Sequence, residues 1–205
     1  EALTEFNSIW YMDTSIVFTK GNLSHVHELI TCRNYVVDRP PVKSVEERDL
    51  REEQTPIESG WDVEQWKQAV AECRKPGFLM NGFTGHGIYT ATAPDVYKYL
   101  PTNYTEIKKK KAKMYESGLT LVVKTRDTVE EILKWHVLCA LEEDCMAGHY
   151  DASMFCFFND DLYAELPNCH RFDQSVLNIL VANTHWYDKH YYASEIVDFF
   201  EVKRR

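Results

Sequence analysis

The stretch Ile9-Trp10-Tyr11-Met12-Asp13-Thr14-Ser15-Ile16-Val17-Phe18 decides the reading of the fold. Four apolar residues, a three-residue polar break and three more apolar residues follow one another. Aromatic and β-branched side chains favour a pleated surface, so the run predicts a strand interrupted by a turn. Apolar character on both faces predicts a central strand of a covered sheet. An acidic residue at the carboxyl end of such a strand lies where open α/β sheets place their ligands. Asp13 is therefore a candidate ligand for a divalent cation, or else the cap of a turn.

Working outward, strand-like and helical segments alternate. Leu23–Cys32 reads as a short helix capped by Ser24. Trp61–Arg74 has Val63, Trp66, Ala69, Val70 and Cys73 at helical spacing, and Lys75-Pro76-Gly77 ends it. Phe78–Phe83 reads as a strand running into the turn Thr84-Gly85-His86-Gly87. Pro94–Leu100 is a short helix stopped by Pro101, and Leu119–Val123 is a further strand. Thr128–Leu141 carries a Thr128/Glu131 capping box and a predicted inner stripe of Val129, Ile132, Leu133, His136, Val137, Ala140 and Leu141. Asp173–Asn183 is a strongly apolar helix. The alternation predicts one layered α/β/α domain over residues 1–205, with a mostly parallel or mixed sheet. Residues 35–60, with three prolines and a mixed-charge tract, read as an exposed loop.

Composition narrows the partners. The 205 residues carry 23 Lys plus Arg and 32 Asp plus Glu, for a net charge of −9. That balance argues against binding through the general field of nucleic acid. The Lys108–Lys111 run with Lys113 reads as a solvated helix face or as a phosphate or sulfate site. No apolar run reaches the roughly 18 residues of a membrane span. The chain opens on Glu1, not Met, which suggests a piece of a longer or processed protein with any anchor upstream.

Six cysteines, Cys32, Cys73, Cys139, Cys145, Cys156 and Cys169, form no C-x-x-C pair. An even count without zinc spacing fits disulfides in an oxidising compartment, with fifteen complete pairings open, or else six reduced, buried cysteines of a cytosolic protein. Asn22-Leu23-Ser24 and Asn103-Tyr104-Thr105 are glycosylation sequons. Together these features point to the secretory pathway: Golgi lumen or secretion.

The second chemical stretch is His170-Arg171-Phe172-Asp173-Gln174-Ser175-Val176-Leu177-Asn178. Asp173 could serve only as an N-cap, worth about 1 kcal/mol. A cap needs one polar residue, however, and His170, Arg171, Asp173 and Gln174 crowd here after Cys169. Carboxylate and amide groups make the paired hydrogen bonds that read sugar hydroxyls.

The segments WYMDTSIVF (10–18), KWHVLCALEEDC (134–145) and NCHRFDQSVLN (168–178) together resemble the GT-A glycosyltransferase superfamily, in its glycogenin-like and galactosyltransferase-like branch. The similarity extends from Phe6 to Asn183 and is closest to an invertebrate secretory-pathway family. It implies transfer of a sugar from a sugar nucleotide to a glycan or protein acceptor. Asp13 then matches the first metal-binding Asp, and Asp173 and Gln174 match the donor-sugar and reaction-centre pair. Thr84 and His86 fall where acceptor-facing residues lie, with His170 and Arg171 as further substrate-binding candidates. Mn or Mg is the implied cofactor.

Three departures accompany the resemblance. Ser15 replaces the second metal-binding Asp, and the family's late His motif has no equivalent, His185 and His190 being unmotivated substitutes. The superfamily's nucleotide-binding half precedes the Asp-x-Asp strand, whereas only a dozen residues precede Asp13. A luminal or secreted glycan- or protein-binding module with a degenerate transferase fold is the alternative. An unrelated hydrolase finds no G-x-S-x-G elbow.

Overall fold

Leu119–Val123 (β6) is the central strand of a three-stranded sheet, flanked by Ser8–Met12 (β1) and Phe78–Met80 (β3). A computed structural model describes residues 2–31, 63–72, 76–148 and 153–203. Period-two alternation splits this sheet's side chains between two cores. Phe78, Met80 and Val122 enter one cluster with Val176, Ile179, Leu180 and Val181 of the helix Phe172–Thr184 (α6). Leu79, Leu119 and Leu121 enter the other, with Val26 and Leu29 of Ser24–Thr31 (α2) and Val70 of Val63–Glu72 (α3). Helices thus cover both faces, and burying each large side chain contributes roughly 1.5–3 kcal/mol. The mixed α/β composition agrees with the sequence reading.

The direction of the strands does not. β1 pairs with β6 and β3 pairs with β6, both antiparallel. Phe83–Gly87 (β4) pairs antiparallel with Lys113–Tyr115 (β5), and Ile16–Phe18 (β2) pairs antiparallel with Phe200–Val202 (β7). Among the described residues, parallel geometry is confined to the isolated bridges Met80↔Ala193 and Ser153↔Cys169. Alternating helices and strands need parallel neighbours only where a crossover returns to the adjacent strand. Here the short Glu116–Gly118 connection leads from β5 into β6, and the two strands belong to different sheets.

Other expectations are corrected by the same packing. β1 is an edge strand, with Tyr11 and Met12 exposed, not a covered central strand. Ser24 is the first residue of α2, and the Asn22 side chain accepts its N–H. The Thr84–Gly87 stretch is strand β4, not a turn. Lys108–Lys111 lies in turns ahead of β5, not on a helix face. Thr128 does not cap its helix: its N–H donates to Thr125 Oγ1 at 3.1 Å, so Thr125 is the cap. A π-helical segment, Thr128–Leu133, then runs into Lys134–Leu141 (α4). Thr128, Ile132 and Cys139 are its buried face, while Val137 and Leu141 of the expected stripe are exposed. Residues 35–60, Cys32 and Cys73 lie outside the described residues.

Cys139–Cys145 ties α4 to the short helix Glu143–Ala147 (α5), and Cys156–Cys169 ties the 153–169 segment to the approach to α6. The four cysteines among the described residues are therefore all oxidised, which suits a secreted or luminal protein. No helix among the described residues is long and apolar enough to cross a membrane.

Candidate functional site

The β1–β6 ladder carries Asp13 past the end of β1. Its N–H donates to Gly118 O at 2.8 Å, and its own carbonyl takes the Ile16 N–H at 3.0 Å, closing the Asp13–Ser15 turn. The carboxylate lies over the Glu116–Gly118 connection: a Cβ at residue 118 would stand 2.9 Å from Asp13 Oδ2, so a larger residue there would push the carboxylate aside. Asp13 Oδ1 accepts the Tyr11 hydroxyl at 2.9 Å.

Asp173 reaches the same connection from the other side of the sequence. Ser117 Oγ donates to Asp173 Oδ2 over a long 3.4 Å. Tyr11 is influenced by both carboxylates. Its hydroxyl is held above the usual tyrosine range by the hydrogen bond to Asp13, then by burial, then by the charges of Asp13 and Asp173. Two acids 160 positions apart in the chain thus converge on Ser117–Gly118, with Tyr11 beside them.

Asp173 does not cap α6. Arg171 stands at the N-cap position and makes no side-chain cap bond. Ser175, one turn inside the helix, instead ties back to it, its Oγ accepting the Arg171 N–H at 3.1 Å and donating to Ala91 O at 2.8 Å. Relieved of capping, the exposed Asp173 side chain is free to face Ser117. Phe172, directly before it, has a left-handed backbone at φ 45°. A non-glycine residue there stores strain of the kind found at ligand-binding turns. Gln174 begins the helical hydrogen bonding through its N–H to Arg171 O, and its side chain is half-buried.

The remaining candidates divide. Arg171 is exposed, and its charge acts on the buried His86. Burial foremost, with that cation's help, holds His86 below the ordinary histidine range, against a bond to Gly87 O. The His86 ring lies 4.5 Å from Phe158, and its Nδ1 bonds Gly87 O at 3.0 Å. Thr84 Oγ1 donates to Met114 O at 3.0 Å, which is a sheet contact. His170 is fully buried: Nδ1 accepts the Ala93 N–H at 3.3 Å, so Nε2 carries the proton donated to Met146 O at 3.0 Å. Both nitrogens are spent on backbone, and His170 is a pin and not a reader of ligands. Ser15 is half-buried, its carbonyl taking the Lys203 N–H at 2.7 Å. Asn22 and Asn103 are both exposed, as glycan attachment requires.

Sequence reasoning missed Tyr11, Ser117 and Gly118, because only the tertiary fold sets them between the two acids. It also passed over Asn178, whose amide bonds the Tyr115 backbone at 2.8 Å in both directions and docks α6 on β5. Among the described residues, no group of three His, Cys, Asp or Glu side chains is placed to share a metal ion. Comparison with protein-family models, with curated proteins and with solved structures finds no match to this chain.

Proposed function

We propose that the Asp13–Ser117–Asp173 face is the sugar-handling part of a glycosyltransferase that uses a sugar nucleotide in the secretory pathway. The convergence of Asp13 and Asp173 on one glycine-containing connection is the observation that carries this reading. Asp173 and Gln174 would hydrogen-bond the hydroxyls of the donor sugar, the carboxylate accepting and the amide both accepting and donating. Arg171 supplies a cation for an anionic portion of either substrate. Asp13 would be the protein's ligand to Mn or Mg, with the Ser15 hydroxyl in the place of a second carboxylate. One or two carboxylates suffice for such an ion when substrate phosphates complete its shell, so these hard oxygen donors fit it. When bound, the ion neutralises charge on the diphosphate leaving group.

Calorimetric titration of the natural full-length protein with a panel of sugar nucleotides, with and without Mn, tests this. Binding that needs Mn and is lost in Asp13→Ala is the expected result. Donor affinity falling at least tenfold in Asp173→Asn would agree with a hydrogen-bonding role. A protein that binds none of the panel is better described as a non-catalytic glycan-binding module on a degenerate transferase fold. Ser15, where a second carboxylate would stand, is the residue that favours this second reading.

A further inference from the structure

A cavity of about 400 Å³ opens at residues that the site above does not use. Lys111, Lys113, Lys189 and His190 line it together with Trp186 and Tyr187. Its volume falls within the range of small-ligand sites. It is cationic in a chain whose net charge is −9.

The cations are held in place. The Glu195 carboxylate takes Lys113 Nζ on one oxygen at 2.8 Å and Lys189 Nζ on the other at 2.6 Å. Two ammonium groups on one carboxylate leave one net positive charge. Each ammonium has three donors and spends one on Glu195, so donors remain for a ligand. Burial alone would raise the Glu195 pKa, but the bonds from the two lysines outweigh it and hold the group ionised down to about 2. Lys111 and Lys109 likewise share Glu106, again leaving one positive charge. The one acid of the lining, Asp188, accepts the His190 N–H and bonds its ring Nδ1 at 2.8 Å.

The aromatic part is unusual. Trp186 is 85% exposed, and both Trp186 and Tyr187 have left-handed backbones, at φ 53° and 62°. Two successive non-glycine residues in that region are held against their own preference. An indole displayed to solvent beside ordered ammonium groups can take the apolar C–H face of a pyranose ring, while the ammonium groups take an anion. Tryptophan suits such a contact because it offers a large rigid apolar surface at low entropic cost. The two disulfides suit an oxidising compartment, where sulfated and uronate-bearing sugars occur.

We propose that this cavity binds an anionic saccharide, its ring stacked on Trp186 and its sulfate or carboxylate held by Lys111, Lys113 and Lys189. The site shares no residue with the Asp13–Asp173 face and does not depend on the transferase reading.

Calorimetry on the disulfide-intact chain tests it with a sulfated disaccharide, the unsulfated parent and a nucleoside diphosphate. The expected result is binding of the sulfated sugar at least tenfold tighter than of the parent, weakening as salt is raised. Trp186→Gly removes the ring and suits the positive φ, so it should lose at least tenfold in affinity without a fall in thermal midpoint. Lys111→Gln alters an exposed side chain and should also weaken binding. No binding at millimolar sugar, equal affinity for the sulfated and unsulfated forms, or affinity unchanged in both variants overturns the proposal. A nucleoside diphosphate that binds more tightly than the saccharide, and loses affinity in Trp186→Gly, overturns the saccharide assignment.

Discussion

Asn178 and Tyr115 form a closed two-point clasp: the Asn178 Nδ2 donates to Tyr115 O and its Oδ1 accepts the Tyr115 N–H, each at 2.8 Å. The side-chain amide imitates a neighbouring strand for the last residue of β5. It thereby docks α6 immediately before the connection that carries Ser117 and Gly118. Asn178→Ala would leave a buried backbone N–H and C=O unpaired, each costing about 1–3 kcal/mol. Equilibrium denaturation should show a loss of roughly 2–4 kcal/mol. Asn178→Asp keeps the acceptor but turns a second oxygen toward Tyr115 O, so it should destabilise too. A loss below about 1 kcal/mol in both variants would mean that α6 docks by apolar packing alone.

How far the sequence carried this reading depends on the range of each interaction. β6 and α6 were legible because continuous apolar runs bury both faces of a strand and almost the whole surface of a helix. The edge position of β1 was not, since Trp10, Tyr11 and Met12 look alike whether a neighbour covers them or not. Thr84–Gly87 looked like a turn because two glycines fall in four residues. The register shift between Phe83 and Gly87 accommodates them inside β4. On the helix after Thr125, the π-helical segment shifts the face that a regular helical repeat would bury, and Val137, Leu138 and Leu141 emerge exposed. At the site, Asp13 and Asp173 could be named from local pattern, but nothing local indicates that Ser117 and Gly118 lie between them.

Acid should lower the stability of this protein in two pH windows. Burial, first among the causes, keeps His86, His136, His170 and His185 below the ordinary histidine range. The unfolded chain therefore binds protons at these histidines before the folded chain does. Their contribution to stability is present above about pH 6.5 and is lost as pH falls from there. Glu195 acts lower. Its folded value of about 2 lies under the unfolded 4.5, so its contribution is whole above pH 4.5 and disappears as pH falls toward 2. The Lys113 and Lys189 bonds are three-quarters buried, and solvent screening leaves a loss on the order of 1–3 kcal/mol. Thermal melts across pH 7 to 2 should decline in both windows. Glu195→Gln should be less stable at pH 7 and show a flatter decline below pH 4.5; an unchanged slope there would remove Glu195 from the account.

The two disulfides close short loops, Cys139 to Cys145 over 6 residues and Cys156 to Cys169 over 13. On the chain-entropy model each contributes roughly 2–3 kcal/mol. Peptide mapping without reductant should recover these two linkages, and any cross-pairing such as Cys145 with Cys156 would contradict the fold around α5. The Cys156→Ala/Cys169→Ala double variant should lower stability by about that amount. It should also loosen the approach to α6, measurable as faster amide exchange over the 168–174 segment.

His170 and Gly148 meet at the base of the same approach. The neutral His170 ring bridges Ala93 N–H and Met146 O, and Gly148 passes against it with φ 63°. A Cβ at residue 148 would stand 2.9 Å from Ala93 Cβ and 3.2 Å from His170 Cδ2. Gly148→Ala therefore combines a steric clash with a backbone that L side chains rarely adopt, and should cost roughly 2–4 kcal/mol. Gly21→Ala is the control: its Cβ would meet nothing within 4 Å, so its effect should stay within about 0.5 kcal/mol. Chemical denaturation of the two variants side by side measures the difference. If the pin also sets the start of α6, Gly148→Ala should weaken any ligand held by Asp173 by more than its stability loss at working temperature explains. Equal behaviour of the two alanine variants would show that the ring of His170 yields freely, and that Asp173 owes its position to the Asn178 clasp instead.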